Sequence, residues 1–151
     1  MSEMLGNHYF QVRNFMLAEH TYEKLSPNQL SDFKILKKLI ICYTQTHKLD
    51  KALKTFNLLI EKDINTIIYS NLRDEDCPCD DLIFKIESGE FKYSTDEQKY
   101  TALAILWMYC NHKTSLNYFQ KALNENPQNK NLNKVIRSIK ILSKQNILQT
   151  N

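Results

Sequence analysis

Apolar side chains recur along this chain at spacings of three and four, the period of one helix face. The first stretch carries Leu5-Gly6-Asn7-His8-Tyr9, then Asn14-Phe15, then Ala18, Tyr22 and Leu25. Thirty-four residues later stand Leu39-Ile40-Ile41-Cys42-Tyr43, then Lys48-Leu49, then Ala52, Phe56 and Leu59. Large apolar falls on large apolar, aromatic on aromatic and Ala on Ala. Each copy therefore predicts two antiparallel helices joined by a short turn, near Asn14 in the first and near His47-Lys48 in the second. Gly6, Ala18 and Ala52 fall where two helices approach closely, and Tyr9, Tyr22, Tyr43 and Phe56 are expected to fill the space between neighbouring hairpins.

A third copy is out of phase. Ser115 to Pro127 has the pattern of a second helix with a closing proline, preceded by a first helix over about Glu97–Tyr109 that includes Ala102, Leu103, Leu106 and Trp107. The step from Phe56 to Phe119 is 63 residues, less than two repeats, so a divergent segment intervenes. Within it, Ile64, Ile67, Ile68 and Leu72 suggest a short helix. Another is expected where Asp76 or Cys77 can cap, Pro78 suits the first helical position, Leu82, Ile83 and Ile86 form a stripe, and Gly89 ends the helix. Ser94-Thr95-Asp96-Glu97 reads as the capping box of the next helix. Leu132, Val135, Ile136, Ile139 and Leu142 then line one face of a last helix over 132–148, with Lys130, Lys134, Arg137, Lys140 and Lys144 on the other, the form of a cover over a repeat stack.

The 34-residue helix-turn-helix resembles the tetratricopeptide repeat. The resemblance spans roughly 1–64 and 96–128, with departures at Ile40 and Leu103, where a small residue is usual. It implies an all-α, right-handed solenoid in a single domain, 1–151: repeats at about 1–31, 32–64 and 96–128, a divergent acidic insertion at 65–95, and a capping helix at 130–148. It also implies a concave groove, lined by the first helix of each hairpin, that binds a peptide segment or helix of another protein without catalysis, as an adaptor or co-chaperone does. Carried over by position, the groove residues are Asn7, Gln11, Lys34, Lys37, Lys38, Ile41, Thr44, Tyr100, Trp107 and Met108. The lysines suit an acidic partner, and Trp107 and Tyr100 suit apolar anchoring. The competing reading packs Trp107 and Tyr100 against the insertion. Repeats of this family that grip the acidic tails of heat-shock chaperones use a lysine and then an asparagine on the first helix. Asn7 matches but Glu3 replaces the lysine, so that mode is not expected.

Composition agrees with helices: two Gly and three Pro in 151 residues leave little for glycine-rich phosphate loops or tight β-turns. The net charge of +3 conceals +3 over 1–62, −7 over 63–98 and +7 over 99–151. The basic last helix has no interleaved aromatics, so nucleic acid is not the expected partner, while self-association between basic helix and acidic insertion is a further option. With neither a leader-like start nor an apolar run of about 18 residues, the expected setting is the cytoplasm, with no membrane span and with Cys42, Cys77, Cys79 and Cys110 reduced.

No residue order suggests a nucleophile, a zinc-protease helix or a P-loop, so no catalytic residue and no cofactor are expected. The four histidines are scattered singly. Cys77-Pro78-Cys79 leaves three readings: a turn with a helix cap, a metal ligand pair, or a redox pair, the last two opposed by Asp74, Glu75, Asp76, Asp80 and Asp81, whose charge raises thiol pKa values. Two alternatives to the adaptor follow: a metal- or redox-responsive protein using Cys77 and Cys79, or a chaperone similar to those of type III secretion translocators, which are usually acidic where this chain is basic.

Overall fold

The computed structural model describes residues 2–69 and 78–150, with side chains described through 62, over 78–141, and at 144. All of the regular structure among them is helical. The chain forms two compact units, Met1–Phe56 and Asn57–Asn151.

The first unit begins with α1 (Glu3–Gln11) and α2 (Phe15–Glu23), a hairpin. Ser2 caps α1 through its hydroxyl to the amide of Leu5, 3.1 Å away, and Asn14 caps α2 through the amide of Leu17 at 3.3 Å. Between them Arg13 turns left-handed, with φ 65°, and the Asn14 amide reaches back to the Tyr9 carbonyl at 2.9 Å, which closes the helix end. After α3 (Pro27–Leu30) comes α4 (Phe33–Gln45), then α5 (Leu49–Tyr69), which starts in this unit. The α4–α5 turn repeats the first: His47 has φ 63° and the Lys48 amide bonds the Tyr43 carbonyl at 2.9 Å. Both features stand 34 residues after their counterparts, so the period seen in the side chains is also a period of the backbone.

Between the hairpins, α2 packs on α4. Ala18 and Tyr22 are buried, and Glu19, buried on α2, accepts hydrogen bonds from Thr46 and Lys48 at the second turn. Tyr43 donates to Glu23 at 2.7 Å, and Lys51 on α5 pairs with the same carboxylate at 3.5 Å while lying 5.8 Å from the Tyr43 ring.

The second unit holds the rest of α5, then α6 (Cys79–Glu87), α7 (Asp96–Trp107), α8 (His112–Glu125) and α9 (Lys130–Thr150). Helices α7 and α8 form its main hairpin, with α6 on α7 and α9 on α8. Ser115 takes the place of the repeat alanine, and its buried hydroxyl donates to the Ala104 carbonyl at 2.6 Å. This hairpin turns without a left-handed residue; the amides of Cys110 and Asn111 both bond the Trp107 carbonyl, at 2.9 and 2.7 Å. Glu97 ties the α8–α9 loop to α7 by accepting from Asn126 and Asn129 at 3.4 and 3.0 Å. On α9, Leu132, Val135, Ile136 and Ile139 are buried while Lys130, Lys134, Arg137, Lys140 and Lys144 are exposed, as the amphipathic pattern requires. Its start meets α5, where Lys134 pairs with Glu61 at 2.9 Å.

Several boundaries differ from the sequence expectation. Helix α5 runs on past 64 as one helix of 21 residues, with no Gly or Pro between Leu59 and Tyr69 to interrupt it. Leu72, Asp74, Glu75, Asp76 and Cys77 lie outside the described residues. Pro78 is the N-cap of α6 rather than its first helical residue, so the helix starts one place later than expected, and Thr95 caps α7 through the Gln98 amide at 3.2 Å. Helix α3 was missed, although Ser26, Pro27 and Gln29 form a complete capping box with Pro at its start.

Candidate functional site

The ten candidate groove residues divide sharply by burial. In the first unit, Lys37, Ile41 and Thr44 are buried, at 2%, 1% and 0% exposure, rather than presented on an open face. The reason is the nature of α4: from Ile35 to Thr44 every residue except Lys38 is buried, and a helix covered on all sides has no solvent stripe. Lys37 has an interaction partner in that setting, as a buried cation requires. Asn7 and Lys38 do come together. The Asn7 amide oxygen accepts from Tyr22 Oη at 2.6 Å and from Lys38 Nζ at 3.3 Å, and Lys38 sits 5.7 Å from the Phe10 ring. These two residues therefore serve hairpin packing. Gln11 and Lys34 are exposed.

In the second unit, Met108 is buried, at 2% exposure, because it sits where α7 ends against its own hairpin. Tyr100 and Trp107 are half-buried and border a surface pocket of about 350 Å³ formed by Glu87, Lys99, Tyr100, Leu103, Tyr118 and Lys121, with Trp107 beside it through Glu87. Tyr100 on α7 and Tyr118 on α8 stack with centroids 6.2 Å apart and planes 29° apart. Lys121, one turn beyond Tyr118, places its ammonium 5.8 Å from one ring and 5.1 Å from the other. Glu87, from the last turn of α6, accepts from Tyr118 Oη at 3.1 Å and from Trp107 Nε1 at 3.3 Å. Burial and this bond to Glu87 raise the Tyr118 pKa above the usual phenol range.

Trp107 thus bonds a residue of the acidic insertion, as the competing reading anticipated, while Tyr100 stacks within the repeat hairpin. Tyr118, Lys121 and Glu87 were not among the sequence candidates. The only signal for them was the pairing of Tyr118 with Lys121 at a three-residue spacing on the outer side of α8.

The described cysteines, Cys42, Cys79 and Cys110, do not line this pocket. Cys79 is disulfide-bonded, whereas Cys42 and Cys110 form no disulfide, so the expectation of four reduced thiols fails at Cys79. Cys77 is outside the described residues. Burial and the nearby Glu19 carboxylate push the Cys42 thiol far above its ordinary range. Among the described residues no three His, Cys, Asp or Glu side chains gather as metal ligands, and no helix is long and apolar enough to cross a membrane. Comparison of the chain with protein-family models, with curated proteins and with solved structures finds no match.

Proposed function

We propose that the chain is a non-catalytic interaction module of tetratricopeptide type, which holds an acidic peptide segment or helix of another protein against the surface formed by α6, α7 and α8. The observation that carries this reading is the Tyr100–Tyr118 stack beneath Lys121. Tyrosine is among the residue types that most often anchor a partner, and Lys99 adds a second positive charge at the rim of the same pocket. The recurrence of turn geometry at the repeat period supports the tetratricopeptide part of the reading. A partner carboxylate would pair with Lys99 and Lys121 while its neighbouring apolar side chain covered Tyr100 and Leu103.

The test is affinity capture with the wild type and with a Tyr100→Ala, Lys121→Glu variant, the retained proteins being identified by mass spectrometry. A protein held by the first and lost by the second is the expected result. Identical retained sets would show that this pocket is not the working surface.

A further inference from the structure

Five large apolar residues of the first hairpin are exposed: Met16 at 71%, whose counterpart one repeat on is the exposed Asp50, and four more, Met4 at 79%, Leu5 at 39%, Val12 at 58% and Leu17 at 41%. Adding one repeat gives Lys38, Leu39, Thr46 and Lys51. These four lie on the face of the second hairpin that receives the first. Lys38 bonds Asn7 and covers Phe10, Thr46 bonds Glu19, and Lys51 pairs with Glu23. Leu39 is buried one turn before Tyr43, which also bonds Glu23. The receiving face of the second hairpin is therefore repeated on the first, where the same positions are exposed and where its three polar members have become Met4, Val12 and Leu17.

Local helix chemistry points the same way. Leu5 and Leu17 each occupy the third position after an N-cap, Ser2 and Asn14, where Glu or Gln closes a capping box. Gln29 does so for Ser26 in α3, and Gln98 holds that position in α7. Two exposed leucines thus stand where solvent and the helix start both favour a polar side chain, the kind of local conflict that function retains.

We infer that this face of the first hairpin docks an apolar helix of a partner protein, laid on α1 as α2 lies on α4. The established interface sets the chemistry of the occupant. Helix α2 meets its site with the buried stripe Ala18, Tyr22 and Leu25, and meets Thr46 and Lys51 with Glu19 and Glu23. On the first hairpin those carboxylates would meet Val12 and Leu17 in place of Thr46 and Lys51, and Asn14 and Tyr9 in place of Lys48 and Tyr43, so neither would find a cation. The occupant therefore has apolar side chains at the places of Glu19 and Glu23 as well, a wider apolar face than that of α2.

The probe is a stapled, fluorescently labelled peptide of residues 14–25 carrying Glu19→Leu and Glu23→Leu, titrated with the full chain by anisotropy. Saturable binding is expected, weakened about tenfold or more when the peptide keeps both glutamates, and likewise when the protein carries Leu5→Glu and Leu17→Glu with an unchanged circular dichroism spectrum. The Tyr100→Ala, Lys121→Glu protein should bind the peptide as the wild type does, which separates this face from the pocket on α7 and α8. Absence of saturable binding, or equal binding by the Leu5→Glu, Leu17→Glu protein, overturns the inference. So does sedimentation showing a wild-type dimer that this double variant dissolves, since a second copy would then be the occupant.

Discussion

The Tyr22 ring occupies the space that a side chain on Gly6 would need: a Cβ at Gly6 would stand 2.5 Å from Tyr22 Cε1. The ring cannot give way easily, because Tyr22 is fully buried and its hydroxyl is held by Asn7 at 2.6 Å. Gly6→Ala sets two effects against each other. Helix propensity favours Ala by about 1 kcal/mol, whereas overpacking costs about 1–3 kcal/mol. With the neighbour pinned, the clash wins. Gly6→Ala should lower the urea midpoint, and Gly6→Ala combined with Tyr22→Leu should recover part of the loss. A midpoint raised by Gly6→Ala alone would contradict this packing.

The two ion pairs between α2 and the second hairpin should differ in weight. Glu19 is buried, with only 4% of its side chain exposed, and depends on Lys48 and Thr46. Glu23 and Lys51 are 34% and 55% exposed, so solvent screens them and the pair contributes about 0–1 kcal/mol. Lys48→Ala leaves a buried carboxylate with one partner fewer and should cost about 1–3 kcal/mol, whereas Lys51→Ala should fall within about 1 kcal/mol of the wild type. Chemical denaturation of both variants gives the comparison, and equal losses would refute it.

The hairpins were legible because their signals are local and repeated. Ala18 and Ala52, Tyr22 and Phe56, and the turns at Asn14 and Lys48 carry the same physics twice. Open faces were less legible. Lys37 and Thr44 look like surface residues, but they sit on a helix whose run Leu39-Ile40-Ile41-Cys42 is apolar on every side, and that run was the available sign of an interior helix. Helix α7 behaves in the same way, with Thr101 to Leu106 all buried. The tyrosine pocket was half visible: Tyr100 and Trp107 stand out as aromatics on the first helix of the third repeat. Tyr118 and Glu87 join them only through the packing of α6 and α8, which no local pattern specifies.

Stability should fall in alkali, with a known set of groups responsible. Burial raises the pKa values of Cys42, Tyr43, Tyr93 and Tyr109, and the bond to Glu19 raises that of Lys48. Each folded value lies above the unfolded one, so the unfolded chain releases these protons first. The contribution is complete below the unfolded values, about 8.5 for Cys and about 10 for Tyr and Lys, and is lost as pH rises through the folded values. Urea midpoints should be level near pH 7 and decline above about pH 9. Tyr109 offers a control. Its hydroxyl is buried with no hydrogen-bond partner among the described residues, so Tyr109→Phe removes an unsatisfied group. That variant should be as stable as the wild type or more so at pH 7, with a shallower alkaline decline.

The leucines at the starts of α1 and α2 allow docking and folding to be read separately. Asn14 already accepts the Leu17 amide at 3.3 Å, so Leu17→Glu would supply the reciprocal arm of a capping box and a negative charge in the first turn. Ser2 and Leu5 stand in the same relation, at 3.1 Å. The opposing term is apolar burial, which is modest at residues that are 39% and 41% exposed. The cap and dipole terms are each worth about 0.3–1 kcal/mol and offset that loss. Leu5→Glu and Leu17→Glu should therefore leave the thermal midpoint within a few degrees of the wild type or raise it. By contrast, a polar change at the equivalent Leu39, only 5% exposed, should lower the midpoint sharply. Thermal scans of Leu5→Glu, Leu17→Glu and Leu39→Glu decide the matter. If Leu5→Glu unfolds the protein as Leu39→Glu does, the outer face of α1 belongs to the core of the first unit and not to a partner.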